Sequence, residues 1–269
     1  MLYRTSPTKI ATWLDCPRRF WLQYVERVRV SGSWAHLSMG NAIHAVLRDW
    51  WDVPPEERSR DRLDALMREQ WQVAGFRDAE QSDQWRAASA DMTWHYLQQL
   101  APDFEPHSRE RTLAAKTEVQ TVQGRIDRLD ATDDGSLTVV DYKTGKRVPT
   151  EDDVRGSFAL AMYALCVQQT LRRPCARVEL HHVPSGVRVG RDVTPESIDR
   201  QISRVEQIAS EMAQAESAWR ADGDVDAHFP PRPSALCGWC DMRDHCPAAS
   251  GEKREPWAGL PDAADQPPE

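Results

Sequence analysis

What this sequence has little of narrows its function before any motif is read. No apolar run approaches the eighteen or so residues that span a bilayer, and the opening MLYRTSPTKI lacks the basic-then-apolar order of a secretory signal. A cytoplasmic protein with no membrane contact is the expectation. Positive charge is not in excess either: 34 Lys and Arg stand against 42 Asp and Glu, a net charge of −8. That excludes a broad positive field for whole-surface attraction to nucleic acid. Any such contact must come from a local basic patch, or from a metal that offsets nearby carboxylates. A G-x-x-x-x-G-K-[ST] nucleotide-binding loop is absent, so the chain carries no motor of that kind. Cysteines number six in 269 residues. In a cytosolic protein of this size they point to metal binding or plain burial rather than to a disulfide framework.

What is there can build a core, since 40% of residues are hydrophobic. Ser6 followed by Pro7 reads as an N-cap and first helical position, with Ile10, Trp13 and Leu14 at helical spacing. Helices follow over about 18–25, 35–50, 59–73 and 81–99, so the first hundred residues read as helical. From about Arg109 the pattern turns to β-branched residues broken by Gly124 and by Asp133-Asp134-Gly135, which is a β-meander. A helix over 157–171, a hairpin around Pro184-Ser185-Gly186 and a long helix from Pro195 to Trp219 capped by Thr194 come next. The expected class is mixed α/β. Residues 1–250 read as one domain: a helical part over 1–105, a core over 106–220 and a cysteine-containing tail over 221–250. Residues 251–269 read as disordered.

The segment GRIDRLDATDDGSLTVVDYKTG places Asp141 and Lys143 two residues apart, hence on one face, at the end of an apolar strand. An aspartate and a lysine there are unfavourable unless they pair or bind something. Whether Asp127 joins them depends on the turn, because a slip of one residue moves it to the other face. A three-residue loop with Gly135 left-handed sets Thr132 opposite Ser136 and Asp127 opposite Asp141; a two-residue turn would oppose Asp127 to Tyr142. The three-residue loop is the expected one. Two carboxylates at one point call for a hard divalent ion such as Mg²⁺ or Mn²⁺. From spacing alone, a surface hairpin with an ordinary Asp-Lys ion pair fits equally well.

GRIDRLD followed by VVDYKTG resembles the core motif of the PD-(D/E)XK nuclease superfamily in its RecB-like branch. The resemblance spans residues 6 to about 247. It implies a restriction-endonuclease-like fold, with a central mixed sheet flanked by helices, and cleavage of DNA, most simply of single strands or from an end. It also implies that Asp127 and Asp141 hold the metal, that Lys143 assists the attacking water, and that His44, in GNAIHAVL and four residues after Gly40, adds a ligand. Taken alone, a histidine in an amphipathic helix is more often a satisfied core residue. Relatives usually carry a glutamine four residues before the tyrosine that stands here as Tyr163; this chain has Ala159 there. That departure keeps a second reading open, a DNA-binding or scaffolding subunit with weak or no catalysis. Glu110 and Glu118 lie on the preceding strand and could be extra ligands, but they read better as solvated strand residues, with Glu118 kept as a weak candidate at the site.

Cys237, Cys240 and Cys246 form C-x2-C-x5-C, and Cys16 lies far upstream in LDCPRRF. Spacing alone suits a four-thiolate zinc site slightly better than an iron–sulfur cluster. CPRRF with CGWCDMRDHCP resembles the iron–sulfur pattern of AddB and of CRISPR-associated RecB-like exonucleases, which implies a structural [4Fe–4S] cluster that staples the tail. Cys166 and Cys175 lack ligand spacing and read as buried thiols. Arg18, Arg19, Arg125, Arg128, Lys146 and Arg147 form the local basic set for phosphate. Of the eleven tryptophans, Trp50, Trp51 and Trp239 are the ones to test for base stacking. With no helicase of its own, such a chain acts alone or beside a helicase or another repair or defence subunit.

Overall fold

The computed structural model describes residues 2–260. A short strand β1 (Tyr3–Thr5) leads into α1 (Pro7–Asp15), whose N-cap Ser6 accepts a hydrogen bond from the Lys9 amide. Cys16-Pro17 breaks that helix, and α2 (Pro17–Phe20) runs on into a wider turn over Trp21–Val25. Three helices follow: α3 (Ala35–Asp49), α4 (Arg60–Gln70) and α5 (Ala79–Gln98). Then come the meander β2 (Ser108–Lys116), β3 (Gln120–Ala131) and β4 (Leu137–Lys143), and the helices α6 (Glu151–Gly156) and α7 (Phe158–Cys166). The hairpin β5 (Cys175–His182) and β6 (Arg188–Asp192) precedes the long α8 (Pro195–Asp222) and the short α9 (Val225–His228). The first hundred residues are therefore helical except for β1. Three residues are too few for a readable alternation; β1 is a strand because Tyr3 to Thr5 pair with Gln120 to Val122.

The strands form one mixed sheet in the order β1-β3-β4-β5-β6, with β2 on β3. β3 runs antiparallel to β2 and β4, β4 parallel to β5, and β5 antiparallel to β6. β4 is buried on both faces, which is why it reads as an apolar run rather than an alternation. Val139 packs with α1, α7 and α8 on one side; Val140 and Tyr142 pack with α3, α4 and α5 on the other. At the β3–β4 turn the Thr132 amide donates to Ser136, the Gly135 amide donates to Thr132, and Gly135 has φ 83°. Leu129 pairs with Val139 and Arg128 with Val140. This is the expected register, which directs Asp127 toward Asp141.

Two members of the expected basic set are structural instead. Arg128 is buried and donates to the hydroxyls of Tyr96 (3.0 Å) and Tyr142 (3.3 Å) and to Asp130 (2.9 Å). Arg18, also buried, donates to the Phe229 carbonyl and to Asp226. Both are tied up by partners across the fold and cannot reach phosphate. Trp50 is likewise core, 5% exposed against Trp94. Of the tail expected to be disordered, the part up to Leu260 is placed: Leu260 is buried in the α3–α5 core and its carbonyl accepts from Gln81. An apolar anchor holds that segment where composition alone reads as loose. The rest of that expectation, residues 261–269, lies outside the described residues. Among the described residues, no helix is long and apolar enough to cross a membrane.

Candidate active site

A groove of about 1320 Å³ opens where α3 crosses Glu110 on β2 and Gln123 to Asp127 on β3, with α7 and the loop after β4 completing its walls. Each element reaches it for a local reason. α3 comes close because it has no side chain at Gly40; a Cβ there would lie 2.9 Å from the Thr144 hydroxyl. The C-terminal end of α3 is tied to β2 by Arg109, which donates to the Arg48 carbonyl and to Asp52. Tyr163 from α7 lies over β3 at Gly124, where a Cβ would fall 2.5 Å from its ring. The loop after β4 is fastened by His182, whose Nε2 lies 2.6 Å from the Gly145 carbonyl.

His44, Glu110 and Asp127 converge in this groove, with one ligand atom of each within 4.8 Å of the others. His44 Nδ1 is 3.5 Å from Asp127 and 4.0 Å from Glu110. Asp127 also accepts from the Tyr142 amide at 2.8 Å, which locks its carboxylate to the end of β4. Asp141 is turned to Lys143, 2.6 Å away, and is outside the tight group.

The backbone is distorted at this point. Ile126 and Leu129 pack into the same core cluster although three residues apart, so the two-residue alternation of β3 breaks between them, at Asp127. Opposite, Glu110 has φ 44°, left-handed backbone that a non-glycine residue adopts at a cost of about 1–2 kcal/mol. Glu110 is thereby held in the site rather than in solvent, which corrects its reading as a solvated strand residue. Glu118 is exposed in the turn between β2 and β3, away from the groove, and has no part in it. The break in alternation is invisible to periodicity, which is why sequence reasoning ranked Glu110 as solvated above its alternative as an extra ligand.

Charge is concentrated here. Burial pushes the Glu110 carboxyl up, and the Asp127 charge adds to this against Arg125 and His44. Burial also pushes Asp141 up, opposed by Lys143 and reinforced by Asp127. For His44 burial disfavours the charged ring, but the Asp127 hydrogen bond and the charges of Asp127, Asp141 and Glu110 outweigh it and the net direction is up. Tyr163 is pushed up by burial and then by the two aspartates. Glu110 Oε2 and Asp141 Oδ2 are buried without an aligned hydrogen bond, although Arg125 and Lys143 stand within ion-pair reach of them. Three carboxylates and an imidazole, with buried oxygens left over, suit a hard divalent cation.

A family model of the PD-(D/E)XK nuclease superfamily matches residues 4–247. The chain belongs to that superfamily. PD-(D/E)XK proteins use divalent metals on nucleic acid, and the His44, Glu110, Asp127 group is the part of this groove that suits one. The mixed sheet with helices on both faces agrees with a restriction-endonuclease-like fold. A candidate exonuclease from Eubacterium rectale superposes with a TM-score of 0.52 at 9% identity, over 93% of this chain and 90% of that one. SSO0001 superposes with a TM-score of 0.43 at 14% identity, over 93% and 88%. The first likeness concerns the fold alone. No curated protein matches the chain.

Of the remaining expected residues, Arg125 and Lys146 line the groove, and Arg125 reaches Glu110 at 2.8 Å. Arg147 is paired with Asp153. Ala159 is half-buried on α7, one turn before Tyr163. Cys16, Cys237, Cys240 and Cys246 line one small cavity between the end of α1 and the tail, with no disulfide among them. The Arg232 and Ser234 amides donate to Cys16 and Cys237 at 3.4 Å. Burial pushes the Cys166 and Cys175 thiols up to about 12, as expected of inert core cysteines.

Proposed function

We propose that this protein is a Mg²⁺- or Mn²⁺-dependent deoxyribonuclease of the RecB-like branch, acting as an exonuclease on single strands or DNA ends. The observation that carries the reading is the His44, Glu110 and Asp127 group beside the Asp141–Lys143 pair, in a groove that also holds Arg125 and Lys146. When bound, the cation supplies an acidified water and offsets charge on the phosphoryl group. Asp127, Asp141 and His44 hold it, with Glu110 as a further ligand. The Lys143 ammonium orients the water or meets the charge that builds on phosphoryl oxygen. Arg125 and Lys146 grip phosphate, and Tyr163 packs beside the carboxylates to position the strand.

Residues 1–250 act in this reading as one cytoplasmic nuclease domain whose ends are joined by a [4Fe–4S] cluster on Cys16, Cys237, Cys240 and Cys246. The shared cavity supports a four-thiolate site. Among the described residues, no three of these sulfurs lie within 4.8 Å of one another. The choice of a cluster over zinc rests on the resemblance carried by CPRRF and CGWCDMRDHCP. The role is structural, in DNA repair, recombination or defence, beside a helicase or other subunit.

The test is degradation of end-labelled single- and double-stranded DNA by anaerobically purified protein, beside an Asp141→Ala, Lys143→Ala double variant. Cleavage that requires Mg²⁺ or Mn²⁺ and disappears in a folded variant is expected. A folded wild type that cuts neither substrate would overturn the enzyme reading in favour of a binding or scaffolding subunit, to which Ala159 already points.

A further inference from the structure

α3 has two faces. Ala42, Ile43, Val46 and Leu47 are buried in the core, while His36, Leu37, Gly40, Asn41, His44 and Arg48 line the groove. The groove-lining residues recur at helical spacing, so they form one continuous stripe. From His36 to His44 is eight residues, about 12 Å at 1.5 Å per residue. At the His44 end the stripe meets carboxylates, Arg125 and Lys146. At the His36 end it is apolar and aromatic: Leu37 is 47% exposed, and the Trp239 ring, half-buried and also lining the groove, lies 5.9 Å from the His36 ring.

Trp239 is held firmly. Its ring packs 5.3 Å from that of Trp34, whose indole N–H donates to Asp241. Its backbone is fixed at Gly238, which is buried, accepts from the Arg254 amide at 2.9 Å and leaves no room for a Cβ beside the Glu252 carbonyl. A fixed indole at one end of a groove and cations at the other match the needs of an unpaired strand, which offers base faces and phosphates together. Bases in a duplex have their faces covered by neighbours. With a net charge of −8, little non-specific attraction is available to do the same work.

We propose that Trp239 is a base-stacking residue that selects single-stranded DNA, with the strand lying along the roughly 12 Å of α3 between His36 and His44, an unpaired base on the indole at one end and a phosphate at His44, Glu110 and Asp127 at the other. At 3.4 Å per stacked base that is about three to four nucleotides, and fewer for a stretched strand. The inference rests on the nuclease reading for the place of the phosphate, but not for the binding of the base.

The experiment measures affinity by fluorescence anisotropy in EDTA, so that no hydrolysis is involved. A thymidine oligonucleotide is compared with a fully abasic one of the same length and charge. Wild type should prefer the thymidine oligonucleotide by about tenfold or more, in line with stacking on one aromatic residue. Trp239→Ala should erase most of that preference while leaving abasic affinity unchanged, and Trp239→Phe should keep it, with melting and metal content unaltered. An undiminished preference in Trp239→Ala, or no preference in the wild type, overturns the proposal. Photocrosslinking of wild type to a 5-iododeoxyuridine oligonucleotide needs no variant: an adduct on Trp239 is expected, and adducts elsewhere only would refute it. Base-dependent binding without cleavage would sink the nuclease reading and leave this one standing.

Discussion

Gly124 offers a direct test of how the site is assembled. A Cβ at this position would lie 2.5 Å and 2.8 Å from two ring carbons of Tyr163. Carbon atoms in contact sit at about 3.5–4.0 Å, so Gly124→Ala forces an overlap of about 1 Å. β3 is held on one side by β2 and meets β4 and β1 on the other, so α7 or the Tyr163 side chain must give way. Overpacking of this kind costs about 1–3 kcal/mol. Because Tyr163 lines the groove and feels the charges of Asp141 and Asp127, the variant should lose cleavage as well as stability. A double-mutant cycle read by urea denaturation separates clash from other effects. Tyr163→Ala removes the ring, so Gly124→Ala made in that background should cost much less than in wild type. Tyr163→Phe keeps the ring carbons that clash and should give no relief. Equal costs of Gly124→Ala in all three backgrounds would refute the claim that Tyr163 packing on bare backbone sets the groove wall.

Two further outcomes follow from the charge and the thiols. Glu110, Asp141 and His44 all have folded-state values raised above their ordinary ones. Their stabilising contribution is present below the unfolded values and is lost as pH rises through the raised ones, so the metal-free protein should weaken across that window. A bound cation replaces those protons; the rise in melting temperature on adding Mn²⁺ should therefore grow with pH, with about 2.7 kcal/mol expected at a hundredfold excess over Kd, and a pH-independent shift would contradict the assignment. For the cysteines, Cys16→Ala or Cys240→Ala should give colourless protein destabilised by up to about 5 kcal/mol, the loop-closure figure for a link across some 220 residues. Iron analysis and thermal melting check this, and a brown, equally stable variant would remove the structural role.

Features whose physics is local were legible from the residues alone. Ser6-Pro7 and Thr194-Pro195 cap α1 and α8 because a side-chain oxygen satisfies an amide three residues on. Gly135 after two aspartates sets the β3–β4 turn, and with period-two alternation that sets the register carrying Asp127 toward Asp141. The four cysteines were legible as a set from spacing and resemblance, but their meeting in one cavity depends on α1 packing against the tail. Tertiary structure alone decided the rest. Glu110 sits between Arg109 and Arg111 and reads as solvated; only the left-handed backbone and the break in β3 turn it toward His44. Arg18 and Arg128 read as phosphate contacts because their partners, Asp226 and Tyr96, lie far along the chain. Periodicity and capping report the neighbours a residue has within a few positions. What a side chain meets across the fold is set by helix and sheet packing, which no short window of sequence contains.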